Sequence, residues 1–482
     1  MHKQNIMNQE MIFMAEQLSR RLFPDLPAYP ERVIQFGAGN FMRAFVDWQL
    51  QQMNRQGLFQ GSAIVVQPTR NGQAEAINKQ DGLFTVLQNG IYQGQTVDSR
   101  EIVASVSRVV NPYTQFEDFL ALAENDALEF ITSNTTEAGI AYDAADRAGD
   151  APPLSFPGKL AALLFRRYTL GKTGFVIIPC ELVDRNGEQL KRIVQRYARE
   201  WRLGDGFMKW LEEENTFCCS LVDRIVPGYP RSKAEELGNE LGYKDELMVT
   251  SEPYLLWVIE GPDWLVNKLP LDRAGLNVVF TGDMTPYRER KVHLLNGPHT
   301  AMVPLGRLAG LETVEEVMRD ECFSRFVREL MEREISPMLD LPLPEVLAYG
   351  EDIRERFRNP FIRHELASIS LNSIAKFKTR LLPILSKYRH KNGTLPPLLT
   401  LSFAALLLSY RDDRIPRQDL PEVAAAFDEA WSRPEAFAEN ILKNKSLWGE
   451  DLTRIPDLVP AITELIRELE RAGSRAALQQ LV

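Results

Sequence analysis

Three residues whose side chains could together support proton transfer to an oxygen lie close together in one segment of this 482-residue chain. Lys291, Asn296 and His299 follow Thr285-Pro286, a pair typical of the start of a helix. At about 100° per residue, the three side chains fall within roughly a 140° arc of one helix. An amine that exchanges a proton, beside an amide and an imidazole that hydrogen-bond an oxygen, is the combination that carbonyl reduction needs.

Neighbouring residues leave two questions about this segment open. Arg288, Arg290 and His293 lie among the three, so a solvated basic helix face is the alternative interpretation. Pro298 stands inside the helix and removes the hydrogen bond to Leu294. We therefore expect a local kink or a widened turn at Pro298.

A second segment has the pattern of a phosphate-binding turn. An apolar strand over residues 32–36 runs into Gly37-Ala38-Gly39-Asn40 and then into an amphipathic helix. Gly37 permits a tight turn, and Gly39 lets backbone N–H groups approach a pyrophosphate at the helix N-terminus. Met42 stands where the third glycine of the dinucleotide fingerprint would fall, so a plain turn is the alternative.

Polar residues follow several predicted strands, at the edge of a parallel sheet where cofactor and substrate meet. The strand ending at Gln67 lacks the expected ribose-binding acid, and Arg70 could meet a 2′-phosphate, so the chemistry leaves NAD or NADP open. Asn134 and Thr135 follow another strand, and Glu181 ends a third. Glu181 is either catalytic or a carboxylate satisfied at the end of its strand.

A second group of basic residues lies further along the chain. His364 ends one basic stretch, and Lys376 and Arg380 share a helix face because they are four residues apart. In a chain with a net charge of −10, this local positive charge suits an anionic substrate. A solvated helix with salt bridges is the alternative, and it is favoured for Lys378.

Composition excludes several classes of function. A hydrophobic fraction of 44% with 25% charged residues is ordinary for a globular protein, and the acidic net charge argues against nucleic-acid or anionic-membrane binding. We find no bilayer-spanning apolar run and no signal peptide. The four cysteines and five histidines form no metal-binding spacing, which predicts reduced thiols, a cytoplasmic location and no metal. Oligomeric state is not defined by the sequence.

The order of predicted elements indicates an α/β Rossmann-type N-terminal domain followed by an all-α C-terminal domain. We place an N-terminal extension at residues 1–28, with a helix from Asn8 to Leu22. The Rossmann-type domain then spans residues 29–284 and the helical domain residues 285–482. Within the first domain, Asn89-Gly90 is predicted to be a turn between two strands.

Three motifs give the chain a resemblance to the long-chain polyol-specific (mannitol) dehydrogenase family. They are Phe36-Gly37-Ala38-Gly39-Asn40-Phe41-x-Arg43, Ser220-x-Val222-Asp223-Arg224-Ile225-x-Pro227 and Lys291-x4-Asn296-x2-His299. The resemblance implies a Rossmann-type domain, a helical domain, NAD(H) as hydride carrier and no metal. It implies that Lys291 is the general acid and base, that Asn296 polarises the substrate oxygen and that His299 assists.

The sequence departs from the polyol-oxidising pattern of this family at two positions. Leu182 replaces the Asn that follows the strand-end acid, and Arg288 replaces a carboxylate three residues before the lysine. Both changes disfavour a neutral polyol and are consistent with a sugar acid, a hexuronate. The hexuronate epimer stays open, and a non-catalytic NAD-binding sensor is the alternative from another class.

The predicted sites combine the motifs and the polar strand ends. The predicted cofactor-binding residues are Phe36, Gly37, Ala38, Gly39, Asn40, Phe41, Arg43, Gln67, Asn134 and Thr135. The predicted substrate-binding residues are Glu181, Arg288, His364, Lys376 and Arg380, with Lys376 and Arg380 on the substrate carboxylate. Desolvation and the cations Arg288 and Arg290 are expected to lower the pKa of Lys291.

Overall fold

A computed structural model describes residues 16–361, 363–411 and 417–482 of the chain. These residues form two compact units. The first contains the described chain up to Asn89 together with Val97–Met284, and the second contains Gly90–Thr96 and Thr285–Val482. Among the described helices, none combines the length and the apolar character needed to cross a membrane.

Within the described residues, twelve strands form three sheets. The strands are β1 Glu31–Phe36, β2 Ser62–Val66, β3 Phe84–Tyr92, β4 Gln95–Val103, β5 Val106–Val110, β6 Phe130–Ser133, β7 Val176–Pro179, β8 Thr216–Phe217, β9 Cys219–Asp223, β10 Val249–Ser251, β11 Leu256–Glu260 and β12 Val278–Thr281. The main sheet has the order β5-β2-β1-β6-β7-β8, and all its neighbours pair in parallel. Its central strands are buried on both faces, as β2 illustrates with five buried residues of five.

The strand order reverses next to β1. The chain builds β2 and β5 on one side of β1, and then β6, β7 and β8 on the other. Crevices at the carboxyl ends of strands open at such a reversal, because the following connections run to opposite faces of the sheet. The connections after β1 and β6 are therefore the ones that flank a cofactor crevice in this fold.

Two smaller sheets complete the strands. One has the order β10-β3-β4, and the other has β12-β11-β9, with β11 parallel to β12 and antiparallel to β9. The predicted turn at Asn89-Gly90 is wrong, because both residues lie inside β3. The turn is instead Gln93-Gly94, where φ is +51° and +73°, the positive pair that a tight two-residue hairpin turn requires.

The helices of the first unit alternate with its strands along the chain. They are α1 Asn40–Met42, α2 Trp48–Arg55, α3 Ala74–Lys79, α4 Phe116–Ala121, α5 Phe156–Thr169, α6 Asn186–Glu200, α7 Asp205–Glu213, α8 Ala234–Leu241 and α9 Leu265–Lys268. A π-helical turn, Arg43–Asp47, joins α1 to α2. Short 3₁₀ segments occur at Leu122–Glu124 and Glu137–Gly139.

The N-terminal helix predicted for Asn8–Leu22 lies mostly outside the described residues. For the residues from Glu16 onward the prediction is wrong, because the chain is extended there and Gln17 pairs with Lys244. Leu18 N–H donates to Lys244 O at 2.8 Å, and Lys244 N–H donates to Glu16 O at 2.9 Å. Leu18 is fully buried beside Tyr243, so tertiary packing overrides the helical pattern here.

The second unit is helical. Its helices are α10 Thr285–Lys291, α11 Gly297–Leu308, α12 Val314–Arg319, α13 Glu321–Glu329, α14 Leu343–Phe357, α15 Leu366–Ile369, α16 Ser373–Arg380, α17 Leu382–Asn392, α18 Pro397–Leu408, α19 Pro421–Trp431, α20 Phe437–Leu442, α21 Lys445–Trp448 and α22 Leu458–Gln479. Two π-helical turns, Val292–Asn296 and Leu330–Ile335, interrupt the series, and 3₁₀ segments occur at Ser336–Met338, Pro434–Ala436 and Leu452–Arg454.

Helix α18 lies at the centre of this unit. It is apolar on all sides, and every residue from Leu398 to Leu408 is buried. Its first N–H groups have no partners within the helix, and the Glu334 carboxylate accepts from Leu398 N–H and Leu399 N–H, both at 2.8 Å. Burial raises the pKa of Glu334 to about 7.

Candidate functional site

The turn after β1 is shaped by contact with the loop after β6. Gly37 has a φ of +118°, and a Cβ atom there would lie 2.8 Å from the carbonyl oxygen of Asn134. Asn134 N–H donates to Phe36 O at 3.0 Å, which holds the two connections together. Only glycine therefore fits at position 37 without displacing backbone.

Gly39 differs from Gly37 in both conformation and surroundings. It is exposed, its φ is −69°, and a Cβ atom added to it would meet nothing within 4 Å. It immediately precedes α1, so the first free N–H groups of that helix are next to open space. A pyrophosphate approaching those groups could use this space.

Arg43 supports the turn from inside the protein. Its guanidinium is 2% exposed and donates to Ala38 O, to Asn40 Oδ1 at 2.7 Å and to Gln73 Oε1 at 2.6 Å. Burial lowers the pKa of Arg43 to about 10, which leaves it charged at neutral pH. These contacts hold Arg43 against Ala38 and Asn40 of the turn, and its predicted contact with a cofactor stays a prediction.

A buried pair lies behind the same turn. Gln35 Nε2 donates to Gly37 O at 3.1 Å and to Asp47 Oδ2 at 3.2 Å. Asp47 has no exposed surface, and burial raises its pKa to about 7. The pair connects the conformation of Gly37 to the π-turn that ends at Asp47.

The second motif of the sequence also contributes to this turn. Arg224 is buried and donates to Ala44 O at 2.6 Å and to Glu252 O at 2.9 Å. Ala44 lies in the π-turn, where the helical hydrogen-bond pattern is altered, and Arg224 binds one of its carbonyl groups. Gly228, with a φ of +99°, packs so closely on Asn40 that a Cβ atom would lie 2.6 Å from Asn40 Nδ2.

Three other predicted cofactor-binding residues, Phe36, Phe41 and Gln67, also make contacts within the protein. The Phe36 side chain is fully buried and packs on Phe119 and Phe156, so only its backbone reaches the turn. Phe41 stacks on Phe45, with ring centroids 4.8 Å apart. Gln67 is 3% exposed and folds its own loop by donating to Thr69 O and Arg70 O and accepting from Ala74 N–H.

Glu181 is held by the loop after β6. Its carboxylate accepts from Thr135 N–H and Thr135 Oγ1, both at 2.9 Å, and from Ser133 Oγ at 3.0 Å. It is 2% exposed, and burial raises its pKa. These contacts satisfy the Glu181 carboxylate at the end of its strand and fix Thr135 beside the turn after β1. The predicted contact between Glu181 and a substrate stays a prediction. Leu182, which follows Glu181, is 62% exposed.

Lys291, Asn296 and His299 lie on one interrupted helix in the second unit. Lys291 is the last residue of α10, Asn296 ends the π-turn Val292–Asn296, and His299 is in the first turn of α11. The widened turn predicted from Pro298 is confirmed, because Gly297 N–H donates to Val292 O, five residues back. Residues five apart lie above one another in such a turn, which brings Asn296 onto the face of Lys291.

His299 has an aromatic and cationic environment. Its ring centroid is 4.2 Å from that of Phe357 and 4.9 Å from that of His364. Burial first, and then the charges of His364, Arg356, Arg380 and Lys376, hold the pKa of His299 well below its usual range, so the ring is neutral at neutral pH. Its Nε2 atom is buried and has no hydrogen-bond partner among the described residues.

The predicted carboxylate-binding residues lie on α16. Lys376 Nζ donates to Ile369 O at 2.8 Å, and Arg380 Nη1 donates to Thr300 Oγ1 at 3.2 Å. Burial lowers the pKa of both groups, and each also lowers the pKa of His299. The structure therefore brings Lys376, Arg380 and His364 together around His299.

Arg288 and Arg290 differ in their surroundings. Arg288 is exposed, whereas Arg290 is 5% exposed and donates to Glu345 Oε1 at 2.6 Å. Because the Glu345 carboxylate balances the charge of Arg290, the effect of that charge on the neighbouring Lys291 is smaller than the sequence position of Arg290 indicated.

Three residues around His299 were not among the sequence predictions for the site. Phe357 packs against the imidazole with the two rings tilted by 36°, and Arg356 is buried nearby. Thr300 Oγ1 donates to Asn296 O at 2.9 Å while accepting from Arg380. Arg356 and Phe357 lie in the basic stretch that ends at His364, which is a usable signal. Thr300 has no signal beyond its place four residues after Asn296.

Comparison with family models assigns both parts of the chain. Residues 31–273 match the mannitol dehydrogenase Rossmann domain, and residues 283–470 match the mannitol dehydrogenase C-terminal domain. The chain belongs to the mannitol dehydrogenase family.

Relatives within this family narrow the comparison. An altronate oxidoreductase of Bacillus subtilis (strain 168) is 44% identical over 473 residues, which cover 96% of this chain and 98% of the relative. An altronate oxidoreductase of Yersinia pestis is 45% identical over 478 residues, which cover 96% and 99%.

Solved structures share the fold at lower identity. A D-sorbitol dehydrogenase in substrate-free form is 22% identical with a TM-score of 0.81, covering 96% of this chain and all of its own. The Pseudomonas fluorescens mannitol 2-dehydrogenase, solved with NAD and D-mannitol, is 22% identical with a TM-score of 0.66, covering 96% and 99%.

Replacement of Asp47 by Asn should change how stability depends on pH. The folded protein keeps the Asp47 proton up to about pH 7, whereas an unfolded chain releases it near pH 3.8. The unfolded state binds fewer protons in that window, so this group lowers the free energy of unfolding as pH rises through it, by a few kcal/mol. Urea unfolding of wild type and Asp47→Asn from pH 4 to 8 should show a steeper decline in wild type, because Glu334 still titrates near pH 7 in the variant. Parallel profiles would contradict the buried-acid assignment.

Proposed function

We propose that this protein is an NAD-dependent altronate oxidoreductase that reduces the keto group of the hexuronate D-tagaturonate to give D-altronate. The observation that carries the proposal is identity of 44–45% to altronate oxidoreductases along nearly the whole chain. Identity of this size, over nearly the full length of both chains, favours a shared reaction over a shared fold alone.

The charge around His299 supports a sugar acid as the substrate. Lys376 and Arg380 carry positive charge beside this imidazole, and Arg356 adds to it. A neutral polyol gains nothing from such a group, whereas a carboxylate is stabilised by charge-assisted hydrogen bonds. Leu182 and Arg288, which depart from the polyol pattern, agree with this preference.

Residues of the first unit fit a dinucleotide. Gly37 holds the turn close to Asn134, and the open space at Gly39 leaves the free N–H groups of the following helix accessible to a pyrophosphate. NAD(H), when bound, supplies or accepts the hydride. The proposed hydride donor is NADH rather than NADPH. Arg70, the residue that could meet a 2′-phosphate, lies over the Tyr113 ring, 5.1 Å from its centroid.

The proposed proton chemistry uses the interrupted helix. Lys291 donates a proton to the oxygen of the carbonyl as the alcohol forms, and it removes that proton in the reverse direction. Asn296 donates a hydrogen bond to the same oxygen and stabilises its developing negative charge. His299 is neutral, so its unpaired Nε2 atom can hydrogen-bond a substrate hydroxyl without adding charge.

Side-by-side assays test the proposed function. NADH oxidation followed spectrophotometrically should be fastest with tagaturonate, slower with fructuronate and slowest with fructose, because fructose lacks the carboxylate. NADPH in place of NADH should give a lower kcat/KM. Preference for fructose would refute the sugar-acid assignment, and NADH binding without turnover of any substrate would favour a non-catalytic sensor.

Replacement of Lys291 by Ala tests the proton-transfer role. Turnover should fall by about 10²–10⁴-fold, the usual contribution of general acid–base catalysis, with little change in NADH affinity. Lys378→Ala on α16 is the matched control, since Lys378 packs near Gly449 and has no proposed catalytic role. Turnover of Lys291→Ala within a few-fold of wild type would contradict the mechanism.

Two glycine variants separate the shape of the turn from cofactor contact. In the cofactor-free protein, Gly37→Ala should lower the free energy of unfolding by about 1–3 kcal/mol. Alanine at this φ is strained, and its Cβ atom would lie against the carbonyl oxygen of Asn134. Gly39→Ala should leave the thermal midpoint of the free protein unchanged but weaken NADH binding, measured by fluorescence titration. Unchanged NADH affinity in Gly39→Ala would contradict the proposed pyrophosphate position.

A further inference from the structure

His293 lies in the π-turn between Lys291 and Asn296, but it faces a different partner. Its Nδ1 atom is 2.6 Å from the backbone carbonyl oxygen of Arg380, and the residue is 9% exposed. A carbonyl oxygen only accepts hydrogen bonds, so Nδ1 must carry the proton. Burial lowers the pKa of His293, which leaves a neutral ring with the proton on Nδ1.

Arg380 therefore contacts the interrupted helix on both sides of Asn296 along the chain. Its backbone oxygen accepts from His293, and its guanidinium donates to Thr300 Oγ1, which in turn donates to Asn296 O at 2.9 Å. The bond from His293 also satisfies a carbonyl at the last residue of α16, where helical partners are lacking. Arg380, the proposed carboxylate-binding residue, is thus connected through His293 and through Thr300 to the helix segment that carries Lys291 and Asn296.

We propose that His293 is a positioning residue that fixes the distance between the carbonyl and the carboxylate of a bound sugar acid. The inference rests on the proposed function, in which Arg380 binds the carboxylate and Lys291 and Asn296 bind the carbonyl oxygen. A fixed separation favours a substrate whose two groups match it, and a neutral ketose gains nothing from it. His293 contributes to specificity while touching no substrate atom.

Variants of His293 test this role. Asn presents an N–H group close to where Nδ1–H lies, Gln carries its N–H one bond further out, and Leu has none. For tagaturonate, His293→Leu and His293→Gln should raise KM about tenfold or more, and His293→Asn should restore most of the loss. The KM for NADH and the kcat/KM for fructose should stay within about twofold, so the preference for tagaturonate over fructose falls.

Thr300 provides a second, independent set of variants. Thr300→Val keeps the shape but removes the acceptor for the Arg380 guanidinium, and Thr300→Ser retains it. Thr300→Val should give the same selective rise in the tagaturonate KM, with Thr300→Ser close to wild type. This pair keeps the inference testable if His293→Leu does not fold.

Three outcomes would overturn the inference. They are equal losses with tagaturonate and fructose, His293→Asn as impaired as His293→Leu, or no selective change in any variant. ¹⁵N NMR of the histidine rings, with His293→Asn to assign the signal, should show the proton on Nδ1 of His293, and a proton on Nε2 would also overturn it. The NMR result does not depend on activity, whereas absence of tagaturonate reduction by wild type refutes the proposed function itself.

Discussion

A hydrogen bond that closes over five residues, from Gly297 N–H to Val292 O, is the constraint on which the candidate site of the second unit depends. In an unbroken α-helix, Lys291 and Asn296 would project about 140° apart. The π-turn brings them onto one face, and Pro298, which has no N–H to offer Leu294, disfavours the α-helical alternative at this point. The face on which Lys291 and Asn296 lie is therefore set by the π-turn between them and not by their spacing in the sequence alone.

The helix that follows the turn after β1 also contains a π-turn. Its π-turn, Arg43–Asp47, is held from outside by Arg224 and from behind by Gln35, which also binds Gly37 O. The second sequence motif therefore acts through backbone carbonyl groups rather than on a ligand. Both units use side chains from distant segments to stabilise a local departure from regular helix at the residues of interest.

Much of the fold follows from the sequence because its signals are local. Alternating apolar strands and amphipathic helices predict the Rossmann-type unit, and their disappearance after β12 predicts the helical one. The sequence did not predict the structure at positions that are decided by long-range contacts. Gly90 has a turn-forming neighbour but continues β3, and Leu18 leaves a helical pattern to pack beside Tyr243.

The candidate site shows the same division. Lys291, Asn296 and His299 lie within nine residues, so their proximity is local, and Pro298 indicates the interruption that brings Lys291 and Asn296 onto one face. The binding of Glu181 depends on the distant loop after β6, and no pattern in one segment reveals which groups will bind its carboxylate. Thr300 acquires its place by bonding Arg380, 80 residues later, a pairing that exists only after folding.

The turn Gln93-Gly94 has a consequence for how the chain can be divided. It belongs to the second unit, where the Glu355 carboxylate accepts from Gln93 N–H at 2.7 Å and from Gly94 N–H. A fragment that starts at Thr285 would contain the whole helical domain as the sequence defines it, yet it would leave Glu355 without these donors. The two folding units are thus interleaved along the chain, and neither corresponds to a single contiguous stretch of it.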